Sequence, residues 1–288
     1  MPVTGKTRLI GIIGDPIEHT LSPVMHNAAF AHLGLDYIYI PFRVAREDLA
    51  VALAGIKALG FTGVNVTIPH KEAVLPLLDE LAPEAEVIGA VNTIHNVGGR
   101  LYGYNTDGPG FVSSLKEEGG CDPAGKRVTI LGTGGAARAV ALQLALAGAA
   151  HIIILGRRLE KAEAIKDAIK LGVPDCQVTT GLIGKGELAK HVQQAQVLID
   201  TTPVGMYPRV EDEPLVGREM LHRDLVVCDL VYNPVQTLLL QEAEALGCRT
   251  LSGLEMLVRQ GALAFKIWTG REPPLEIMRK VVREKLAV

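Results

Sequence analysis

Gly132-Thr133-Gly134-Gly135-Ala136-Ala137 spells G-x-G-x-x-A between an apolar run, Arg127–Leu131, and a helix-forming run, Ala136–Ala147. In that setting the first glycine allows a tight turn. The second lets the backbone come close to a pyrophosphate, and the small third residue lets helix and strand pack closely. The helix N-terminus adds unpaired N–H groups and the positive end of a dipole. Gly132, Gly134, Gly135 and Ala136 are therefore candidate dinucleotide-binding residues; a plain glycine-rich turn is the duller reading. Choice of dinucleotide is read after the next strand, where an acid would grip a ribose 2′-hydroxyl. Here the chain reads Gly156-Arg157-Arg158, with no acid before Glu160. Two guanidiniums suit a 2′-phosphate, which points to NADP over NAD. The alternative is that both arginines decorate a helix start, where the dipole disfavours a cation.

A second set of polar residues lies earlier. Gly14–Asn27 reads G-D-P-I-E-H-T-L-S-P-V-M-H-N, Gly63–Lys71 reads G-V-N-V-T-I-P-H-K, Gly89–Thr93 reads G-A-V-N-T, and Gly103–Gly108 reads G-Y-N-T-D-G. Each flanks an expected strand end, where open α/β sheets bind ligands. Singly, Thr20 and Ser22 read as caps, Asn65 and Thr67 as strand residues, and Asn92 and Asn105 as turn formers. Together they exceed what packing needs. Lys71 and Asp107 have chemical potential. A lysine held near a carboxylate can give a proton to an alkoxide or take one from an alcohol, and it stabilises a developing oxyanion. On spacing alone the plainer reading stands first: an exposed lysine in a first helical turn and an aspartate cap. No H-E-x-x-H, P-loop or G-x-S-x-G pattern occurs, and no metal site is expected.

These residues need elements to carry them. Leu9–Ile13, Tyr37–Phe42 and Gly63–Ile68 read as strands. They alternate with helices from Ser22 (N-cap, with Pro23 at N1) to about Leu33, over Glu47–Leu59, and from Lys71 to Leu78. Val97–Gly103 reads as a hairpin or loop, and a helix is expected over Gly110–Glu118. After a linker at Gly119–Gly125 a fresh series begins: strand Arg127–Leu131, helix Ala136–Ala147, strand His151–Leu155, helix Leu159–Lys170. Short buried strands follow at Val197–Asp200 and Leu225–Asp229, then helices over Gly253–Phe265 and Pro274–Leu286. The expected fold is α/β in two lobes: an N-terminal parallel-sheet lobe and a Rossmann-like lobe, with the C-terminal helices returning to the first.

Composition narrows the classes. The 288 residues are 48% hydrophobic and 21% charged, which fits a globular chain of two domains. A net charge of −3 and only 4% aromatics argue against a nucleic-acid-coating surface. The four cysteines, Cys121, Cys176, Cys228 and Cys248, form no C-x-x-C pair, as in a reducing compartment. No leader or membrane-length apolar run is read, so a cytoplasmic protein acting on a small molecule is expected, with no nucleic-acid or membrane partner. The sequence leaves oligomeric state open, a homodimer included.

Taken in order, G-D-P-I-E-H-T-L-S-P-V-M-H-N, N-V-T-I-P-H-K, G-A-V-N-T, N-T-D-G, G-T-G-G-A-A-R-A, T-T-P-V-G-M, D-L-V-Y-N-P and G-L-E-M-L-V-R-Q resemble the shikimate dehydrogenase family over positions from about 14 to 270. The resemblance implies reversible NADP-dependent reduction of 3-dehydroshikimate to shikimate, a step toward chorismate and the aromatic amino acids. It implies a substrate domain over residues 1–106, completed by 254–288, and an NADP domain over 107–253. It makes Lys71 and Asp107 the catalytic pair. Thr20, Ser22, Asn65, Thr67, Asn92 and Gln260 become substrate-binding. Gly132, Gly134, Gly135 and Ala136 hold the pyrophosphate and Arg157 and Arg158 the 2′-phosphate, with Tyr232, Gly253 and Met256 near the nicotinamide or the substrate entrance. Four positions depart from the family habit. Thr20 replaces the usual serine, Gly156 an asparagine, Asp200 an asparagine and Gly261 an alanine. The first bears on shikimate against quinate, the second on strictness for NADP. Two other readings compete: a quinate/shikimate dehydrogenase using NAD, and a catalytically silent ligand-binding regulator on the same scaffold.

Overall fold

The computed structural model describes residues 3–286. The chain divides into two compact units. One runs up to Thr106 and resumes at Val258; the other is Asp107–Leu257.

The first unit is built on a six-stranded sheet in the order β2-β1-β3-β5-β6-β4, from β1 (Arg8–Gly14), β2 (Tyr37–Arg43), β3 (Gly63–Val66), β4 (Glu80–Leu81), β5 (Thr93–Val97) and β6 (Arg100–Tyr104). The sheet is mixed rather than wholly parallel. β1 runs parallel to β2 and β3, but β5 is antiparallel to both β3 and β6. The tight Gly98-Gly99 turn, both glycines at positive φ, joins β5 to β6 as a hairpin and so reverses β6 against β5.

Successive strand residues face opposite sides. Ile13, Val64 and Val66 pack with Leu49, Leu53 and Ile56 of α2 (Leu49–Ala58) and with Ala85 of α3 (Pro83–Ile88). On the other side Gly63 leaves room for Trp268, since a Cβ there would fall 2.3 Å from the indole Nε1. Trp268 belongs to α9 (Gly253–Thr269), and its Nε1 donates to the Ile94 carbonyl at 2.9 Å. α1 (Ser22–His32) joins that layer through Phe30, stacked on Phe265, and packs on α10 (Leu275–Leu286). β2 is an edge strand. Asn27 of α1 closes one rung of it: Asn27 Nδ2 donates to the Tyr39 carbonyl at 2.9 Å and the Tyr39 N–H donates to Asn27 Oδ1 at 2.8 Å.

Two local expectations fail. Lys71–Leu78 is no α-helix: turns lead to a 3₁₀ stretch over Leu75–Leu77. Pro69 and Pro76 remove donors on either side, and Pro76 sits where a longer helix would need its N–H. Ser22 is not the cap of α1. Leu21 holds that position without a side-chain cap bond, and Ser22 is already helical.

The second unit carries a fully parallel six-stranded sheet in the order β12-β11-β10-β7-β8-β9, from β7 (Arg127–Leu131), β8 (His151–Gly156), β9 (Gln177–Leu182), β10 (Val197–Asp200), β11 (Val226–Asp229) and β12 (Arg249–Ser252). Counted from β7 this is the doubly wound order with its switch point between β7 and β10. The strands are near-continuous apolar runs because helices cover both faces. α4 (Asp107–Glu117) packs on α5 (Gly135–Leu146), α6 (Leu159–Gly172) on β9, and α8 (Leu238–Ala245) on β12. β9, β12 and the helices α7 (Lys185–Gln193) and α8 are additions to the expected series.

Candidate active site

In the first unit, the ends of β1, β3 and β5 bring Asn65, Thr67, Lys71 and Asn92 onto neighbouring strands and their loops. Asn65 is 5% exposed and Asn92 3%. Asn65 Nδ2 donates to the Asn92 carbonyl (2.9 Å) and to Thr93 Oγ1 (3.0 Å), and Asn65 Oδ1 accepts from the Tyr39 hydroxyl at 2.6 Å. Both amide protons are therefore committed, and the carboxamide offers a ligand a carbonyl lone pair. Asn92 Oδ1 accepts from the Thr106 N–H at 2.8 Å, while its Nδ2 donates to Thr106 Oγ1 (2.9 Å) and Gln260 Oε1 (3.4 Å). Gln260, on α9, thus joins the strand ends through Asn92.

Thr67 lies beside Gly14, whose Cβ would come within 2.4 Å of the Thr67 methyl. Only glycine lets the two loops approach this closely. The loop to Lys71 is pinned by His70, whose Nε2 lies 2.8 Å from the Val44 carbonyl and whose N–H donates to the Thr67 carbonyl. The Lys71 carbonyl accepts from the Val91 N–H at 2.8 Å, so its backbone is fixed even though the segment is not helical. Thr20 Oγ1 accepts from the Ser22 N–H at 3.3 Å, and Ser22 is buried. Asp107 opens α4 in the second unit and is 6% exposed.

In the second unit the glycine turn follows β7. Gly132 has φ +107°, and a Cβ there would fall 2.3 Å from Thr201 Oγ1, which itself donates to the Leu131 carbonyl. Gly134 is the N-cap of α5 and makes no side-chain cap bond. A Cβ on Gly134 or Gly135 would meet nothing within 4 Å, so this helix start faces open space. A phosphate fits such a turn: bare N–H groups, a helix dipole and no side chain in the way. Arg157 and Arg158 are exposed at the end of β8 and form no ion pair among the described residues. Gly156 is dictated by Thr133, whose methyl would lie 2.5 Å from any Cβ at 156. Gly253 has a packing duty too, since its Cβ would fall 2.2 Å from the Leu230 carbonyl oxygen. Tyr232 and Met256 are half-buried, and burial pushes the Tyr232 phenol up.

Two buried carboxylates escape the sequence-based set. Asp200 and Asp229 end neighbouring strands in direct register. Burial and the Asp229 charge raise Asp200 to about 7, and burial raises Asp229 as well. Asp229 is held by the Thr237 hydroxyl (2.6 Å) and the Val231 N–H (2.9 Å), and Asp200 by the Thr202 N–H (2.7 Å). Tyr39 and His26 were also outside that set. A lone phenol in an apolar strand and one histidine in a loop motif give no spacing signal.

A doubly wound parallel sheet with an open glycine turn, joined to a mixed α/β unit with a polar strand-end cluster, defines a dinucleotide-dependent oxidoreductase. Residues 12–94 match the shikimate dehydrogenase substrate binding domain. Residues 253–283 match the shikimate 5′-dehydrogenase C-terminal domain, and 127–227 the coenzyme F420-dependent NADP oxidoreductase family. The shikimate dehydrogenase (NADP(+)) of Methanopyrus kandleri is 51% identical over 284 residues, covering 99% of this chain and 98% of the relative. A crystal structure of a shikimate dehydrogenase in complex with NADP+ superposes with a TM-score of 0.94 at 45% identity, over 99% of this chain and 98% of the other. The shikimate 5-dehydrogenase of Listeria monocytogenes, in complex with shikimate and NAD, gives 0.92 at 42% identity over 98% of each chain. The chain belongs to the shikimate dehydrogenase family.

Proposed function

We propose that this chain catalyses the reversible NADP-dependent reduction of 3-dehydroshikimate to shikimate. The observation that carries the reading is the hydrogen-bonded cluster Asn65–Asn92–Gln260, with the Lys71 backbone pinned beside it, in a chain of this family. The unit up to Thr106, completed by the C-terminal helices, takes the substrate; the other unit takes NADP. Asn65 accepts from a ring hydroxyl, with Thr67, Asn92 and Gln260 bonding to the remaining ring hydroxyls. Thr20 and Ser22 donate to the carboxylate.

Bound NADPH supplies the hydride. Lys71 gives the proton to the developing alkoxide and stabilises it as it forms, and Asp107 assists in the proton transfer. In the oxidative direction Lys71 takes that proton back. Gly132, Gly134, Gly135 and Ala136 leave room for the pyrophosphate, Arg157 and Arg158 grip the 2′-phosphate, and Tyr232, Gly253 and Met256 border the nicotinamide. Four buried, unpaired thiols support a cytoplasmic setting, and no helix among the described residues is long and apolar enough to cross a membrane.

Steady-state rates at 340 nm with shikimate and quinate, each against NADP+ and NAD+, test the reading. Shikimate with NADP+ gives the highest kcat/KM. A higher value for quinate with NAD+ assigns the chain to the other specificity, and no turnover with any pair leaves a binding protein.

A further inference from the structure

We infer that Tyr39 is a positioning residue for the substrate site, its hydroxyl fixing the orientation of the Asn65 carboxamide. This rests on the reading of Asn65 as substrate-binding. Tyr39 is 2% exposed and is held on three sides. Its backbone is clamped by the Asn27 carboxamide through two hydrogen bonds. Its ring packs against His26, stacked at 4.5 Å and 9°, and Trp268, tilted at 6.1 Å. Its hydroxyl donates to Asn65 Oδ1 at 2.6 Å.

The topology explains the reach. Tyr39 on β2 pairs with Ile10 of β1, and Asn65 on β3 pairs with Ile12 of β1. The two side chains share one face of the sheet, with β1 between their strands, and the phenol is long enough to cross it. Because Asn65 Oδ1 receives the phenolic proton, its Nδ2 must face Asn92 and Thr93, so the carboxamide cannot flip. The His26-Asn27 end of the first polar motif holds Tyr39 in place, His26 stacking on its ring and Asn27 clamping its backbone.

Tyr39→Phe keeps the stacking and the backbone clamp and deletes only the hydroxyl. The expected result is a rise of about 5–20-fold in the KM for shikimate, with the KM for NADP+ unchanged and kcat within about threefold, the loss of one hydrogen bond that orients the site. A merely structural role would lower kcat through a smaller active fraction and leave KM alone. In an Asn65→Ala background the effect of Tyr39→Phe shrinks, because the pair acts as a unit. A shikimate KM within twofold of wild type, or full additivity with Asn65→Ala, overturns the assignment. Should the wild-type chain fail to oxidise shikimate, the functional reading falls separately. NMR exchange of the Asn65 carboxamide protons still decides the matter: about tenfold faster in Tyr39→Phe if the phenol fixes Asn65, unchanged if it does not.

Discussion

Each unit buries a titratable group in its interior, and the two groups pull stability in opposite directions with pH. In the first unit His26 is fully buried in an aromatic cage, both ring nitrogens lack a hydrogen-bond partner among the described residues, and burial drops its pKa from 6.5 to about 3. The folded chain cannot bind the proton that the unfolded chain takes up below pH 6.5. That unit therefore loses stability as pH falls from about 6.5 toward 3. In the second unit Asp200 holds a proton up to about pH 7 that the unfolded chain releases near 3.8. That unit loses stability as pH rises from about 4 to 7. Between pH 7 and 5 the two changes are each about 2 kcal/mol and opposite in sign. One chain thus holds two units whose stabilities slope in opposite directions with pH, and Asp229, raised to about 6 by burial, steepens the slope of the second.

Several changes break or sharpen this contrast. The largest concerns chemistry against binding. Lys71→Ala in the first unit is expected to cut kcat by about 10²–10⁴ while leaving NADP+ affinity, measured by fluorescence titration, intact. A variant keeping more than half the wild-type kcat removes Lys71 from the proton step. Next, Arg157→Ala with Arg158→Ala in the second unit should raise the KM for NADP+ by about 10–100-fold and leave that for NAD+ nearly unchanged. Equal effects on both dinucleotides would show that the arginines do not meet the 2′-phosphate. Asp200→Asn keeps an acceptor for the Thr202 N–H and removes the buried acid. Denaturant unfolding at pH 7 should show a gain of about 3 kcal/mol that falls below about 1 kcal/mol by pH 4. A gain that persists at pH 4 means that ionisation is not its source. Smallest at neutral pH is His26→Phe, which preserves the flat ring and deletes two unpartnered nitrogens. It should gain about 1 kcal/mol at pH 7 and about 3 kcal/mol at pH 5, confined by hydrogen exchange to the first unit.

What could be read from residues alone follows the same divide. β7, α5 and β8 are legible because each is a long, unmixed apolar or alanine-rich run, and the glycine turn between them is local in sequence. β9 escapes because Gln177–Leu182 is half-exposed and carries Thr179, Thr180 and Gly181; β12 is only four residues long. The turn between β5 and β6 is legible at Gly98-Gly99, but the antiparallel run of β5 against β3 is not, because it depends on the path of residues 67–92 and not on hydrophobic pattern. At the candidate site, Asn65, Asn92 and Lys71 stand out through motif resemblance, whereas Tyr39 does not. Its importance comes from partners 12 and 26 residues away in the chain, which only folding brings to it.

The Asn27 clamp on β2 has a consequence outside the chemistry. In a parallel ladder, alternate residues of an outer strand direct both backbone groups away from the sheet, here Tyr37, Tyr39, Pro41 and Arg43. The Tyr37 N–H is taken by the Leu35 carbonyl, Tyr39 is capped by a carboxamide, and Pro41 has no N–H at all. A foreign strand arriving at this margin finds almost no donors to template on, so aggregation through β2 is blocked by three unrelated local devices rather than by charge.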